Sequence, residues 1–176
     1  DKKIGWTFHG HEYIGSKMVK KIFQRLSLPL NETLKYVQKI VMMSSRPIVI
    51  SEDIATDSAV RRLIYDAGNS LDDLLTLCEA DITTKNIKKS IKYQNNFKIV
   101  RKKITDVEKR DSIRNFQPPI TGEIVMEHYK IKPCKEIGII KEKIKNAILD
   151  GEIQNDYNEA FELMIKIGKS LGLKDE

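Results

Sequence analysis

Apolar residues recur every three or four positions along most of this chain, and prolines or glycines separate the periodic segments. This spacing matches one face of an α-helix, and no segment shows the alternation expected of a half-buried strand. The sequence therefore predicts an all-α fold of about seven to nine helices. The apolar residues 48–50 follow Pro47 and have no candidate partner strand, so we expect them to form a buried connection.

The first periodic segment, residues 7–26, combines a turn at Gly10 with an amphipathic helix that Pro29 ends. One row of its apolar residues has helical spacing and is expected to face the core. That row is Ile14, Met18, Ile22 and Leu26, with Val19 and Phe23 at its edge. The opposite face is basic and consists of Lys17, Lys20, Lys21 and Arg25.

Residues 85–114 contain neither Gly nor Pro and predict one long helix. Its apolar positions are Ile87, Ile91, Ile99, Val100, Ile104 and Val107. The segment holds eleven basic and three acidic residues, a net charge of +8, whereas the whole chain carries +6. A basic stripe on a helix is the electrostatic footprint of a protein that binds a phosphate backbone. A solvated helix face is the other interpretation of the same charge.

After this helix, Pro118 and Pro119 exclude helical continuation and mark the clearest boundary in the chain. Three shorter helical segments follow. Thr121 and Glu123 lie at the start of the first, Pro133 opens the second, and Asp156 is the expected N-cap of the third. The second half of the chain therefore predicts a small helical tail behind the basic helix.

The composition, with 40% hydrophobic and 32% charged residues, is that of a soluble globular protein. No apolar run approaches the roughly 20 residues that a membrane span needs, so we expect no membrane partner. The N-terminus has neither an initiator Met nor a signal-like apolar region, which suggests that the chain begins inside a longer protein. Cys78 and Cys134 lack metal-ligand spacing and are interpreted as reduced thiols of a cytoplasmic protein.

Candidate metal chemistry is limited to His9, His11 and Glu12, with Asp81 as a possible distant ligand. A structural role for His11 at a helix N-terminus is the alternative. The sequence contains no Ser/His/Asp constellation, no P-loop and no dinucleotide-binding glycine pattern. Gly15 and Ser16 are not followed by the paired carboxylates of a two-metal site. We therefore assign no catalytic residue.

Several segments, taken together, resemble the C-terminal half of the class II tRNA nucleotidyltransferase and poly(A) polymerase family. The combination is similar to the bacterial CCA-adding enzymes that carry an HD domain. The segments are TFHGHE (7–12) with Gly15, VRRL (60–63) with Gly68, residues 72–81, PPITGE (118–123), KPCKEIG (132–138) and DGEI (150–153). They cover nearly the whole chain in the family's order.

The resemblance implies an enzyme that adds CCA or adenosines to RNA 3′ ends from CTP and ATP with Mg²⁺. It places that chemistry in an N-terminal catalytic head that this chain lacks. Residues 1–84 would be the C-terminal part of an HD-type domain, and residues 85–176 a tRNA-binding body. The His-Asp doublet of the HD domain is absent, so we expect no metal or other cofactor in this part. His11 and Asp81 are the weak candidates for metal ligands.

The implied partner of this part is tRNA, bound through its phosphates and its folded shape. The candidate RNA-binding residues are Lys88, Lys89, Lys92, Arg101, Lys102, Lys103, Arg110, Lys132, Lys135, Lys141 and Lys145. Two alternatives stay open. One is an HD-type metal-dependent phosphohydrolase with His11 and Asp81 as ligands. The other is a helical module whose basic helix binds an acidic protein.

Overall fold

The structure, a computed structural model, describes residues 9–52, 56–114 and 116–174. Within these residues it contains helices and no strand, which confirms the predicted all-α fold. The described ranges hold nine α-helices, α1 (His11–Arg25), α2 (Glu32–Met43), α3 (Arg46–Glu52), α4 (Asp57–Ala67), α5 (Leu71–Ala80), α6 (Ile87–Asp111), α7 (Gly122–Tyr129), α8 (Lys135–Asp150) and α9 (Tyr157–Ser170). A short 3-10 helix, Gly68–Ser70, joins α4 to α5.

Side-chain caps at the helix starts follow local sequence signals. The side chains of Asn31, Thr56, Asn86, Thr121 and Asp156 each accept a hydrogen bond from a backbone N–H in the first turn. Such caps satisfy N–H groups that have no partner inside the helix. The starts of α7 and α9 are therefore the ones that the sequence predicts.

Residues 48–50 are not the connection that we expected, because they lie within α3. Pro47 is the second residue of that helix. A proline in the first turn breaks no intrahelical hydrogen bond, since the N–H groups there have no helical acceptor. The side chain of Val49 is exposed, whereas Pro47 is buried.

The main core is organised around α4, which packs against α3, α5, α6 and α8. The buried side chains of α4 are Val60, Leu63, Ile64 and Ala67. One cluster of buried residues extends from Met43 to Ile167 and includes residues on both sides of position 84. The division into residues 1–84 and 85–176 stays a prediction, and the two parts share this core.

Two arginines of α4 tie the surrounding helices together. The Arg61 Nε donates to the Asp111 carboxylate at the end of α6 over 2.7 Å. The Arg62 guanidinium donates to Asp150 and Asn146 of α8, each over 2.8 Å. These contacts set the position of α6 relative to α4 and α8.

The packing of α1 differs from the prediction. This helix contacts α2 through Val19 and Phe23, which form a small separate core with Leu34. The row expected to face inward is exposed instead, and it consists of Ile14, Met18, Ile22 and Leu26. A Cβ on Gly15 would lie 3.1 Å from Val41, so glycine at this position permits the close approach of α1 and α2. Residues 1–8, including the first two positions of the TFHGHE segment, lie outside the described residues.

Candidate nucleic-acid interface

The helix α6 is buried along Phe97, Val100, Ile104 and Val107. This phase differs from the prediction at three positions, because Ile87, Ile91 and Ile99 are each more than half exposed. At 3.6 residues per turn, the side of the helix opposite the buried row carries a set of exposed lysines. We call this set the lysine face, and it consists of Lys88, Lys92, Lys98, Lys102 and Lys109.

The lysine face is long and its charge is not neutralised by neighbours. From Lys88 to Lys109 the helix rises by about 32 Å, at about 1.5 Å per residue. In the part of the chain that the structure describes, no carboxylate forms an ion pair with any of its five ammonium groups. Asp106 is an exposed acidic residue on the same side of the helix. It offsets one of the five positive charges, so the face retains a net positive charge.

The arginines of the same region have a different arrangement. Arg101 of α6 donates to both carboxylate oxygens of Glu79 over 2.6 and 3.1 Å. Arg110 donates to Asp57 over 2.7 Å and to Asp111 over 2.8 Å. Hydrogen bonds that favour the charged forms lower the pKa of Asp57 and Asp111 and raise that of Arg110.

Arg101 and Arg110 are both predicted RNA-binding residues, and in the structure both form ion pairs with carboxylates of the protein itself. Arg101 and Arg110 hold α6 on the body of the protein, whereas the lysines face away from it. A bidentate arginine–carboxylate pair has a fixed geometry that a lysine does not reproduce. The structure therefore separates two groups of basic residues on α6, the arginines that position the helix and the lysine face, which is available to a partner.

The remaining predicted RNA-binding residues lie in several places. Lys89 is exposed near the start of α6, and Lys103 lies 3.5 Å from Asp57. The ammonium group of Lys145 pairs with Glu142 over 2.6 Å and lies over the Tyr65 ring. The others are exposed on the α7–α8 connection and on α8, and they are Lys132, Lys135 and Lys141.

Lys98 and Lys109 belong to the lysine face but are not among the RNA-binding residues that the sequence predicts. Their spacing from the buried row was the signal available. Phasing the helix on Phe97, Val100 and Ile104 places Lys98 outside, but the isoleucines at 87, 91 and 99 indicated a different inward side. The correct phase depends on contacts that α6 makes with α3 and α4.

The two candidate metal ligands lie in different surroundings. The His11 imidazole is 3.7 Å from the Glu12 carboxylate, and a hydrogen bond with Ser45 lowers the pKa of Glu12. Asp81 lies in the wall of a cavity of about 250 Å³, together with Cys78 and Tyr93. Among the described residues, no three His, Cys, Asp or Glu side chains are grouped so that they could hold a metal ion.

Comparison with protein-family models found no match, and neither did comparison with curated proteins or with solved structures. Over residues 9–52, 56–114 and 116–174, no helix combines the length and the apolar character that a membrane span requires.

Proposed function

We propose that this chain is the tRNA-binding part of a cytoplasmic nucleotidyltransferase that adds CCA or adenosine to RNA 3′ ends. The observation that supports RNA binding is the lysine face of α6, whose five ammonium groups have no carboxylate partner in the described structure. The family resemblance of the sequence supports tRNA as the RNA. In this proposal, nucleotide addition with Mg²⁺, ATP and CTP occurs in a separate N-terminal head.

The chemistry of the lysine face suits phosphates better than bases. A lysine ammonium is a compact charge on a flexible stem, so it follows a phosphate backbone without requiring a fixed geometry. Neutralising phosphates releases counterions, which makes the affinity strongly dependent on salt. Contacts of this kind position an RNA without reading its sequence. This matches recognition of a folded RNA by its shape.

The body of the protein holds this face in place. Glu79 on α5 pairs with Arg101, and Asp57 on α4 pairs with Arg110, so α6 is fixed near its middle and near its C-terminal end. Rigid presentation reduces the conformational entropy lost when the RNA binds. Binding residues on a helix that is supported in this way are positioned more accurately than residues on a loop.

The test is the affinity for folded tRNA as a function of salt concentration, measured by fluorescence anisotropy. One variant carries glutamine at Lys92, Lys98 and Lys102. The matched control carries glutamine at three exposed lysines on other parts of the surface, Lys20, Lys166 and Lys174. Circular dichroism shows whether both variants keep the helical fold of the wild type.

The proposal predicts a smaller salt dependence for the variant of the lysine face. Each lost phosphate contact reduces the slope of log affinity against log salt by about 0.7–0.9, so three contacts reduce it by about 2–3. The control is expected to keep the slope of the wild type. Equal losses in both variants would mean that only the total charge of the protein matters, and that the lysine face is not the binding site.

The exposed isoleucines of α6 favour a second candidate function. Ile87, Ile91 and Ile99 lie among the lysines and give the helix a mixed apolar and basic surface, which also suits an acidic protein partner. Replacing Ile87 and Ile91 by serine should change tRNA affinity little if the lysines bind phosphates. Binding of a protein partner that persists after nuclease treatment, and that this double variant loses, would support the interaction module instead.

A further inference from the structure

The outward side of α1 carries an apolar row that no described residue covers. Ile14, Met18, Ile22 and Leu26 follow one another at intervals of four residues and are between 39% and 58% exposed. We call this row the α1 face. The helix is in contact with α2 through other side chains, Val19 and Phe23, so the α1 face is additional to the surface that holds α1 in the fold.

Contiguous apolar surface of this kind usually marks an interaction site, because exposing it to water is unfavourable. A shallow groove of about 210 Å³ lies within the face, between Met18, Ile22 and the basic residues Lys21 and Arg25. Residues at intervals of four form a ridge along a helix, and such ridges pack into the grooves of a neighbouring helix. The shape therefore fits a helical partner.

The charge beside the face narrows the chemistry of that partner. Lys17, Lys21 and Arg25 lie along one edge of the row, and the described structure shows no carboxylate paired with any of them. A second copy of the chain docked antiparallel would bring two basic edges together, which is unfavourable. A helix with acidic residues beside its apolar row would instead complement the edge.

We propose that the α1 face binds an amphipathic helix of a partner protein whose apolar row is flanked by Asp or Glu. The isoleucines, Met18 and Leu26 bury the apolar row of the partner. Lys17, Lys21 and Arg25 pair with the acidic residues beside that row. This inference is independent of RNA binding, because it uses α1 and none of the lysine face on α6.

The experiment uses two synthetic helical peptides with the same leucine row. Glutamates flank the row in the first peptide, and lysines flank it in the second. The wild-type chain is expected to bind the glutamate peptide about tenfold more tightly, the effect of two or three exposed ion pairs. Raising the salt concentration should reduce this preference.

Two variants at exposed positions separate the apolar and the charged contributions. Met18→Gln with Ile22→Gln is expected to lose both peptides. Lys21→Glu with Arg25→Glu is expected to reverse the preference, so that the lysine peptide binds more tightly. Circular dichroism of both variants checks that the helical fold is retained, and the reversal gives a result that loss of folding does not produce.

Four outcomes would overturn the proposal. Equal binding of both peptides would show that the basic edge does not select the partner. Binding of neither peptide would show that the α1 face does not accept such a helix. Sedimentation equilibrium showing a dimer of the wild type that Met18→Gln with Ile22→Gln abolishes would assign the face to a second copy of the chain. Binding of the wild type to phosphatidylglycerol vesicles, lost in the same variant, would assign it to a membrane surface.

Discussion

Replacing Gly168 by alanine is expected to destabilise the protein, because the new Cβ would overlap the side chain of Tyr129. Gly168 is buried in α9, and Tyr129 is a buried residue at the end of α7. The Cβ would overlap the Tyr129 Oη and would lie 2.5 Å from its Cζ. The hydroxyl lies 3.4 Å from the Met164 carbonyl, to which it donates a hydrogen bond. Moving the ring away therefore disturbs the packing between α7 and α9.

The magnitude follows from two opposing effects. Inserting an extra carbon into a packed interior costs about 1–3 kcal/mol. Alanine favours the helix over glycine by up to about 1 kcal/mol, which offsets part of that cost. We expect the free energy of unfolding of Gly168→Ala to fall by about 1–2 kcal/mol. For a chain of this length, this corresponds to a decrease in Tm of about 2–8 °C.

The chain offers a matched control in α8. Gly138 is exposed in a helix, and a Cβ there would meet no atom within 4 Å. Gly138→Ala should therefore stabilise the protein by up to about 1 kcal/mol, through helix propensity alone. Urea unfolding followed by circular dichroism measures both variants on the same scale.

Combining Gly168→Ala with Tyr129→Phe tests the cause of the effect. The phenylalanine removes the hydroxyl oxygen that lies nearest to the new Cβ, so the two changes together should cost less than the sum of the single changes. If Gly168→Ala is as stable as the wild type, or if the two changes are additive, the overlap with Tyr129 does not determine the packing of α9 and the reasoning is wrong.

Two further predictions concern titratable groups. Burial raises the pKa of Cys78 to about 11, whereas Cys134 is exposed. A thiol reagent at neutral pH should therefore modify Cys134 in the folded protein and Cys78 only after unfolding. Equal modification rates for both thiols in the folded protein would show that Cys78 is not buried. Hydrogen bonds from Arg110 and Arg61 lower the pKa of Asp111 in the folded protein. The ionised carboxylate therefore stabilises the folded state fully above the ordinary aspartate pKa of about 3.9. This stabilisation is lost as the pH falls through the lower pKa of the folded state. Asp111→Asn should therefore reduce the free energy of unfolding by about 1–3 kcal/mol at neutral pH and make it less dependent on pH below about 4. The exposed control Asp106→Asn should do neither, and an equal effect of both changes in urea unfolding would refute the role of Asp111.

The sequence predicts the helices of this fold better than the sides on which they pack. Helix starts at Thr121 and Asp156 follow from caps, because a cap depends only on neighbouring residues. The inward side of α1 does not follow, since two overlapping apolar rows compete for it. The close approach of Gly15 to Val41 decides between them, and that contact joins two different helices.

The candidate interface shows the same limit. A net charge of +8 over residues 85–114 is evident from the sequence. The sequence does not show which of these basic residues pair with carboxylates and which stay exposed. Arg101 pairs with Glu79, which precedes it by 22 residues, and Arg61 pairs with Asp111 over a separation of 50 residues. Partners this distant along the chain are fixed by the tertiary packing. The available lysines can therefore be distinguished from the paired arginines only in the folded structure.

Lysine acylation in the presence and absence of folded tRNA tests the proposed interface most directly. Mass spectrometry of the modified chain gives the protection of each lysine. We predict that tRNA protects Lys92, Lys98 and Lys102 of the lysine face and leaves Lys20 and Lys166 as reactive as in the free protein. Protection of Lys20 and Lys166 with none on α6, or equal protection of all five lysines, would contradict the assignment of the lysine face to RNA.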